Sequence, residues 1–315
     1  MKLKRRDFLK GALAGGLLCG AAPGVAGAES VRKDLPPKAV GILYDSTLCI
    51  GCKVCVHACK QANNMPAEVQ GPEPYWDNPL DLSAKTLNVI KRYGFEGGKD
   101  AAEGFAFIKR HCMHCIDPAC VSACPASALL KNQENGVVSY NKDACIGCRY
   151  CQIACPYNIP KFEWDSPFPE IVKCQLCSHL LAKGGISACC ASCPTGASLF
   201  GPVQKLREEA ARRLRMKPGE YYDFPVAAID SGESQQHRAA AYVQHVYGER
   251  ELGGTQVLYL AGVAFDKLGL PDLPEDSYVA LADGIQYAIY KGMVYPIVVL
   301  GGLIYIIKNR QEKKE

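Results

Sequence analysis

Beyond its first 28 residues the chain has no net charge, because Lys2, Lys4, Arg5, Arg6 and Lys10 against Asp7 account for the whole excess of +4. A nucleic-acid surface needs uncompensated lysine and arginine to neutralise phosphates, so that class is excluded. No glycine-rich phosphate loop, dinucleotide fingerprint or C-x-x-C-H haem-attachment motif is present, and no Ser-His-Asp set or paired-carboxylate site is evident. The sequence therefore offers no catalytic constellation of its own. Charged residues make up 22% and hydrophobic ones 48% of 315 residues, which excludes a mostly disordered chain and allows one or two domains with a real core. Uncharged apolar runs are confined to the two ends.

At the start, Lys4-Arg5-Arg6-Asp7-Phe8-Leu9-Lys10 precedes an apolar run from Gly11 to Ala22, then Ala26-x-Ala28. Twin arginines, a run too short to span a bilayer and a small-residue cleavage site read as a twin-arginine export signal over 1–28. A basic amphipathic helix fits less well, since the Gly-rich run has no charged face. Cys19 would leave with the signal. At the other end, residues 286–307 are interrupted by one charge, Lys291, near the edge of the run. Some 20 residues cross a hydrocarbon core of about 30 Å, so the stretch is predicted to be a transmembrane helix. The basic tail over 308–315 (Lys308, Arg310, Lys313, Lys314) places the C-terminus in the cytoplasm and the preceding domain at the periplasmic face of the inner membrane. Pro296 and Gly301-Gly302 suit a bilayer helix with neighbouring helices, which implies a membrane partner.

Cysteine is what the sequence has in excess. Of 18, sixteen fall into four groups of four, each a variant of one theme. The first is Cys49-x2-Cys52-x2-Cys55-x3-Cys59, and the second is Cys112-x2-Cys115-x4-Cys120-x3-Cys124-Pro125. The third is Cys145-x2-Cys148-x2-Cys151-x3-Cys155-Pro156, and the fourth is Cys174-x2-Cys177-x11-Cys189-x3-Cys193-Pro194. Three thiolates at three-residue steps let one loop wrap a [4Fe-4S] cube, while the displaced fourth cysteine reaches another cluster. Groups thus work in pairs, and four groups make two bacterial-ferredoxin-like modules with four [4Fe-4S] clusters. Disulfide frameworks do not repeat this spacing. Structural zinc prefers two C-x2-C pairs, often with histidine, rather than three closely stepped cysteines. In the tandem Cys189-Cys190, the x3 step to Cys193 selects Cys189 as ligand and leaves Cys190 as a small buried side chain. Lys60 stands where the other groups have proline.

The rest reads as an α+β frame of short strands and helices. A Pro-, Gly- and Asn-rich insert over 63–104 carries Tyr75, Trp76 and Tyr93 and is expected to be irregular, with its aromatics available for docking a partner. Strands are expected at 105–109, 137–140, 197–200 and 255–260, and an amphipathic helix at 203–217 bearing Leu206, Ala210, Arg213 and Leu214 on one face. The domain order is thus a double ferredoxin-like body over 29–201 and a helix with extended linker over 202–285, leading to the 286–307 helix. With sixteen cysteines supplying every ligand, His57, His111, His114 and His179 are expected to pack or lie at the surface. Lys53, Arg149, Lys161 and Lys173 stand near the cysteines, where they are either solvated or placed to raise cluster potentials or meet an acidic partner.

Over residues 42–201 this pattern resembles the four-cluster subunits of membrane-bound molybdopterin oxidoreductases and nickel-iron hydrogenases. It is most similar to the iron-sulfur A subunits of hydrogenase-2-type complexes through Tyr44-Asp-Ser-Thr-Leu-Cys49, Cys112-Met-His-Cys115, Gly147-Cys-Arg-Tyr-Cys151, Cys155-Pro-Tyr-Asn158, Gly253-Gly-Thr-Gln-Val257 and Tyr290-Lys-Gly-Met293. The resemblance implies that group one pairs with four and group two with three. Its ligand sets would be Cys49, Cys52, Cys55 with Cys193; Cys174, Cys177, Cys189 with Cys59; Cys112, Cys115, Cys120 with Cys155; and Cys145, Cys148, Cys151 with Cys124. It implies an electron-transfer subunit, with no catalytic site, between a hydrogenase small subunit (with its large subunit) and an integral membrane quinone-reactive subunit. The alternative is the equivalent subunit of a formate dehydrogenase or sulfur-compound reductase. A private export signal favours hydrogenase.

Overall fold

The computed structural model describes residues 33–68, 78–95 and 104–311. The export-signal stretch 1–28, Tyr75, Trp76 and residues 312–315 lie outside that set. Arg32–Val279 forms one compact unit, and the chain from Ala280 onward belongs to a second.

The centre of the first unit is a three-stranded sheet made from segments far apart in sequence. Strand β1 (Val40–Asp45) is followed by helix α1 (Val54–Ala62) and by a hairpin of β2 (Val89–Gly94) and β3 (Phe105–Arg110). Then come α2 (Ala119–Ser122), the hairpin β4 (Leu129–Lys131) and β5 (Val138–Tyr140), α3 (Tyr150–Ala154) and the hairpin β6 (Lys161–Phe162) and β7 (Ile171–Val172). Two short helices, α4 (Ser178–Leu181) and α5 (Ala188–Ala191), lead into β8 (Ser198–Pro202) and α6 (Val203–Leu214). The hairpin β9 (Tyr221–Pro225) and β10 (Ser234–Arg238) precedes β11 (Val257–Leu260). In the sheet, β1 lies between β11, which is parallel to it, and β8, which is antiparallel.

Both faces of that sheet are covered, so β1 and β11 read as continuous apolar runs. Period-2 alternation divides them. Leu43, Leu199, Leu258 and Leu260 pack against Leu206 and Ala210 of α6, whereas Ile42, Tyr44, Phe200, Val257 and Tyr259 face the core that holds the cysteines. Gly41 permits the closest approach in the sheet: a Cβ there would lie 1.8 Å from the Gln256 carbonyl oxygen.

The strands expected near 105–109, 137–140, 197–200 and 255–260 are present with ends shifted by one to two residues, and the helix expected over 203–217 stops at Leu214. Two readings change. The insert 63–104 contains a regular strand, β2, paired residue for residue with β3 from Val89↔Arg110 to Gly94↔Phe105, and Tyr93 packs inward against the core. Its Pro- and Gly-rich surroundings hid the strand. The stretch 202–285, read as helix plus linker, supplies β11 to the central sheet and buries Tyr242, Tyr247, Leu252, Phe265 and Leu268, so most of it builds the body.

Helix α7 (Tyr278–Gln311) runs for 34 residues and contains Pro296. It includes the segment 286–307, and Leu300, Ile304, Ile306 and Ile307 are exposed on it. Among the described residues no helix is long and apolar enough to cross a membrane, and many α7 side chains lie outside that set.

Candidate functional site

Each cysteine group is a loop bent by one backbone device. The residue two places after the first cysteine is left-handed in all four: Gly51 (φ 69°), His114 (φ 48°), Gly147 (φ 71°) and Leu176 (φ 53°). In groups one and three the basic residue after the second cysteine is left-handed as well, Lys53 at φ 60° and Arg149 at φ 62°. Such turns direct successive backbone N–H groups into a concavity that favours anions. Several reach sulfur: Gly147 N to Cys145 Sγ is 3.4 Å, Leu176 N to Cys174 Sγ is 3.4 Å and Ala128 N to Cys124 Sγ is 3.2 Å. After each Cys-Pro the third residue beyond the cysteine turns left-handed too, at Ser127, Asn158 and Gly196. Group one lacks that proline, and with Lys60 in its place α1 continues through Cys59 to Ala62, nine residues against five in α3. Lys60 then ties down the insert by donating to the carbonyls of Pro66 and Lys85 and to Thr86 Oγ1.

The fold brings distant cysteines together. Cys49, Cys52, Cys55 and Cys193 line one cavity; Cys59, Cys174, Cys177 and Cys189 line a second; Cys124, Cys145, Cys148 and Cys151 line another. Around Cys115, the thiols that act on it are Cys155, Cys112 and Cys120. We number these sets one to four; electrostatic influence links Cys55 of the first to Cys189 of the second, Cys174 of the second to Cys112 of the third, and Cys120 of the third to Cys151 of the fourth.

The seventeen described cysteines are all free thiols. Burial pushes Cys55, Cys59 and Cys120 up to about 12 and Cys151 up to about 11, so without a compensating cation these groups resist becoming the thiolates that iron binds. The second cavity also shows that a polar occupant fits. Asn88 Oδ1 and His111 Nε2 are buried at its wall without hydrogen-bond partners. Among the described residues no three His, Cys, Asp or Glu side chains converge closely enough for a single metal ion. Cys189 lines the second cavity, while Cys190 is fully buried in the hydrophobic core.

The histidines separate into two kinds. His57 and His179 are exposed, but His111 and His114 are buried beside the cysteines, and His114 Nδ1 accepts from Val138 N at 3.0 Å. Of the four basic residues singled out, Lys173 is buried, Arg149 stacks on Phe162 and Trp164, and Lys53 donates to the Asn78 carbonyl. Sequence reasoning missed Lys109, which is fully buried among cysteines. It also missed how Gln256, in the Gly253-Gly-Thr-Gln-Val257 motif, works: its side chain donates to the carbonyls of Val40 and Asn135 and accepts from Lys131, tying β1 to the β4–β5 turn.

A family model described as "4Fe-4S dicluster domain" matches residues 104–203. The chain is 45% identical over 314 residues to the "Hydrogenase-2 operon protein HybA" of Escherichia coli O157:H7, covering 98% of this chain and 95% of that protein. It is 33% identical over 266 residues to the "Formate dehydrogenase-O iron-sulfur subunit" of Escherichia coli (strain K12), covering 83% and 78%.

Proposed function

The chain belongs to the family of the hydrogenase-2 operon protein HybA, to which formate dehydrogenase iron-sulfur subunits are more distantly related, and on that premise we propose that it relays electrons between a nickel-iron hydrogenase and a membrane quinone-reactive subunit. It is an iron-sulfur electron-transfer subunit of an oxidoreductase complex. Three cavities each lined by four cysteines, with a further group of Cys112, Cys115, Cys120 and Cys155, are the observation that supports the relay reading. Each set would hold one [4Fe-4S] cluster, which supplies reversible one-electron chemistry when bound. The chain's part is to fix the sets close together and to exclude water from the inner two. Both ends of the series reach the surface beside apolar side chains: Ile50 and Val54 next to the first set, and Ile146, Tyr150 and Ile153 next to the fourth. Exposed apolar and aromatic residues at those ends suit docking of an electron donor and an acceptor.

In this reading the chain is exported by the twin-arginine route already loaded with clusters and is held at the periplasmic face by residues 286–307, with its tail in the cytoplasm. The exposed apolar residues of α7 support such an anchor. Iron and acid-labile sulfide analysis of anaerobically purified protein tests the cluster assignment: about 16 iron per chain are expected from four cubanes, and near-zero iron overturns it.

A further inference from the structure

Two lysines are buried in the series of cysteine sets without an acidic partner. Lys109 is 0% exposed and its ammonium reaches Ser198 Oγ at 3.2 Å. Ser198 and Ile90, the cross-strand partner of Lys109, line the first cavity, and His111, two residues further along the chain, lines the second. The sulfurs acting on Lys109 belong to Cys189 of the second set, Cys55 of the first and Cys190. Lys173 is 4% exposed and donates to the carbonyls of Val138 and Cys174. Cys174 belongs to the second set, and Lys173 acts on Cys120 and Cys155 of the third. Among the described residues neither lysine has a carboxylate within ion-pair distance.

A buried ammonium is costly unless an anion accompanies it. Among the described residues, the anionic groups that can face these two are thiolates and the cages they would hold, which carry net negative charge. We propose that Lys109 and Lys173 are shared counter-ions of the cluster series, Lys109 serving the first and second cages and Lys173 the second and third, each raising the reduction potential of both its neighbours. The inference rests on the reading that each set holds a [4Fe-4S] cluster. A cation between two cages stabilises an added electron on either one, and it weakens the repulsion that would otherwise keep adjacent cages from being reduced together. Among the described residues the fourth set has no such lysine.

The test is a redox titration followed by electron paramagnetic resonance on the anaerobically purified full chain, with wild type, Lys109→Met, Lys109→Arg and Lys173→Met. Lys109→Met is expected to lower the midpoint potentials of two clusters, Lys173→Met those of an overlapping pair, and neither to move the fourth, while Lys109→Arg stays close to wild type. Should Lys109→Met lose iron, retention by Lys109→Arg still supports the charge role, and loss by both overturns it. Iron-loaded Lys109→Met with unmoved potentials, or with all four moved alike, also overturns it. Wild-type protein without four clusters would sink the underlying assignment instead.

Discussion

Arg213 Nη1 lies 2.9 Å from Asp45 Oδ2, and neither side chain is exposed. Asp45 ends β1, four residues before Cys49, and its carboxylate also accepts from Tyr242 Oη at 2.7 Å, Thr47 Oγ1 at 2.6 Å and Thr47 N at 3.0 Å. Arg213 donates through Nε to Glu209 at 2.7 Å. The pair therefore fastens α6 to the strand that launches the first cysteine loop. Arg213→Met leaves two buried carboxylates short of a partner, and a loss of about 3–5 kcal/mol in denaturant unfolding is expected. A loss too small to measure would mean that the network carries no net stability.

The same network sets an acid dependence. Burial alone would raise the Glu209 pKa, but Arg212 and Arg213 outweigh it and hold the carboxyl below its ordinary 4.5. A folded-state pKa below the unfolded one gives stability that is present above about 4.5 and lost as pH falls through the folded value. Glu209→Gln should thus unfold earlier than wild type at neutral pH, and the gap between them should close on acidification below 4.5. A gap that widened in acid would contradict the assigned charge state.

Two glycines with the same backbone angle separate strain from clash. Gly147 and Gly136 both have φ 71°. At Gly147 a Cβ would meet nothing nearer than Phe162 Cε2 at 3.9 Å, so Gly147→Ala should cost only the left-handed penalty, about 1–2 kcal/mol. At Gly136 it would lie 2.1 Å from Gln256 Oε1, an atom that Lys131 Nζ holds at 2.8 Å. Gly136→Ala is expected to be the more damaging in thermal unfolding, and the reverse order would show that Gln256 moves freely.

The tandem cysteines give a chemical control. Cys190→Ala removes one small side chain from the core and should keep full iron, at a stability loss on the order of 1 kcal/mol. On the proposed assignment Cys189→Ala takes a ligand from the second set and should lose about four of about 16 iron. Exchange of these two outcomes in iron analysis would exchange the two roles.

The cysteine groups were visible in sequence because ligands in one loop must follow the spacing of the cage they wrap. The long-range partners of each group came from resemblance alone, since Cys193 joins Cys49 only after β8 pairs with β1. Lys109 was invisible for a related reason. On β3 it resembles any strand lysine, and it becomes buried only because the hairpin brings it to Ser198 of β8. His114 and Leu176 hid their left-handed turns because glycine, the usual marker of that conformation, is absent there. Lys60 was noticed as a missing proline, but the longer helix it permits required the structure.

Cys52 is the exposed cysteine among the described thiols, which puts the first set at the solvent end of the series. A relay fails wherever one member is missing, whichever end faces the hydrogenase. Cys52→Ser should therefore abolish hydrogen-dependent quinone reduction by membranes, while hydrogen-dependent reduction of a soluble dye by the catalytic partner persists. Cys190→Ala serves as the matched control and should retain both activities. Equal loss of both activities in Cys52→Ser would mean that the chain is needed to assemble or activate the hydrogenase, and the relay reading would give way to that role.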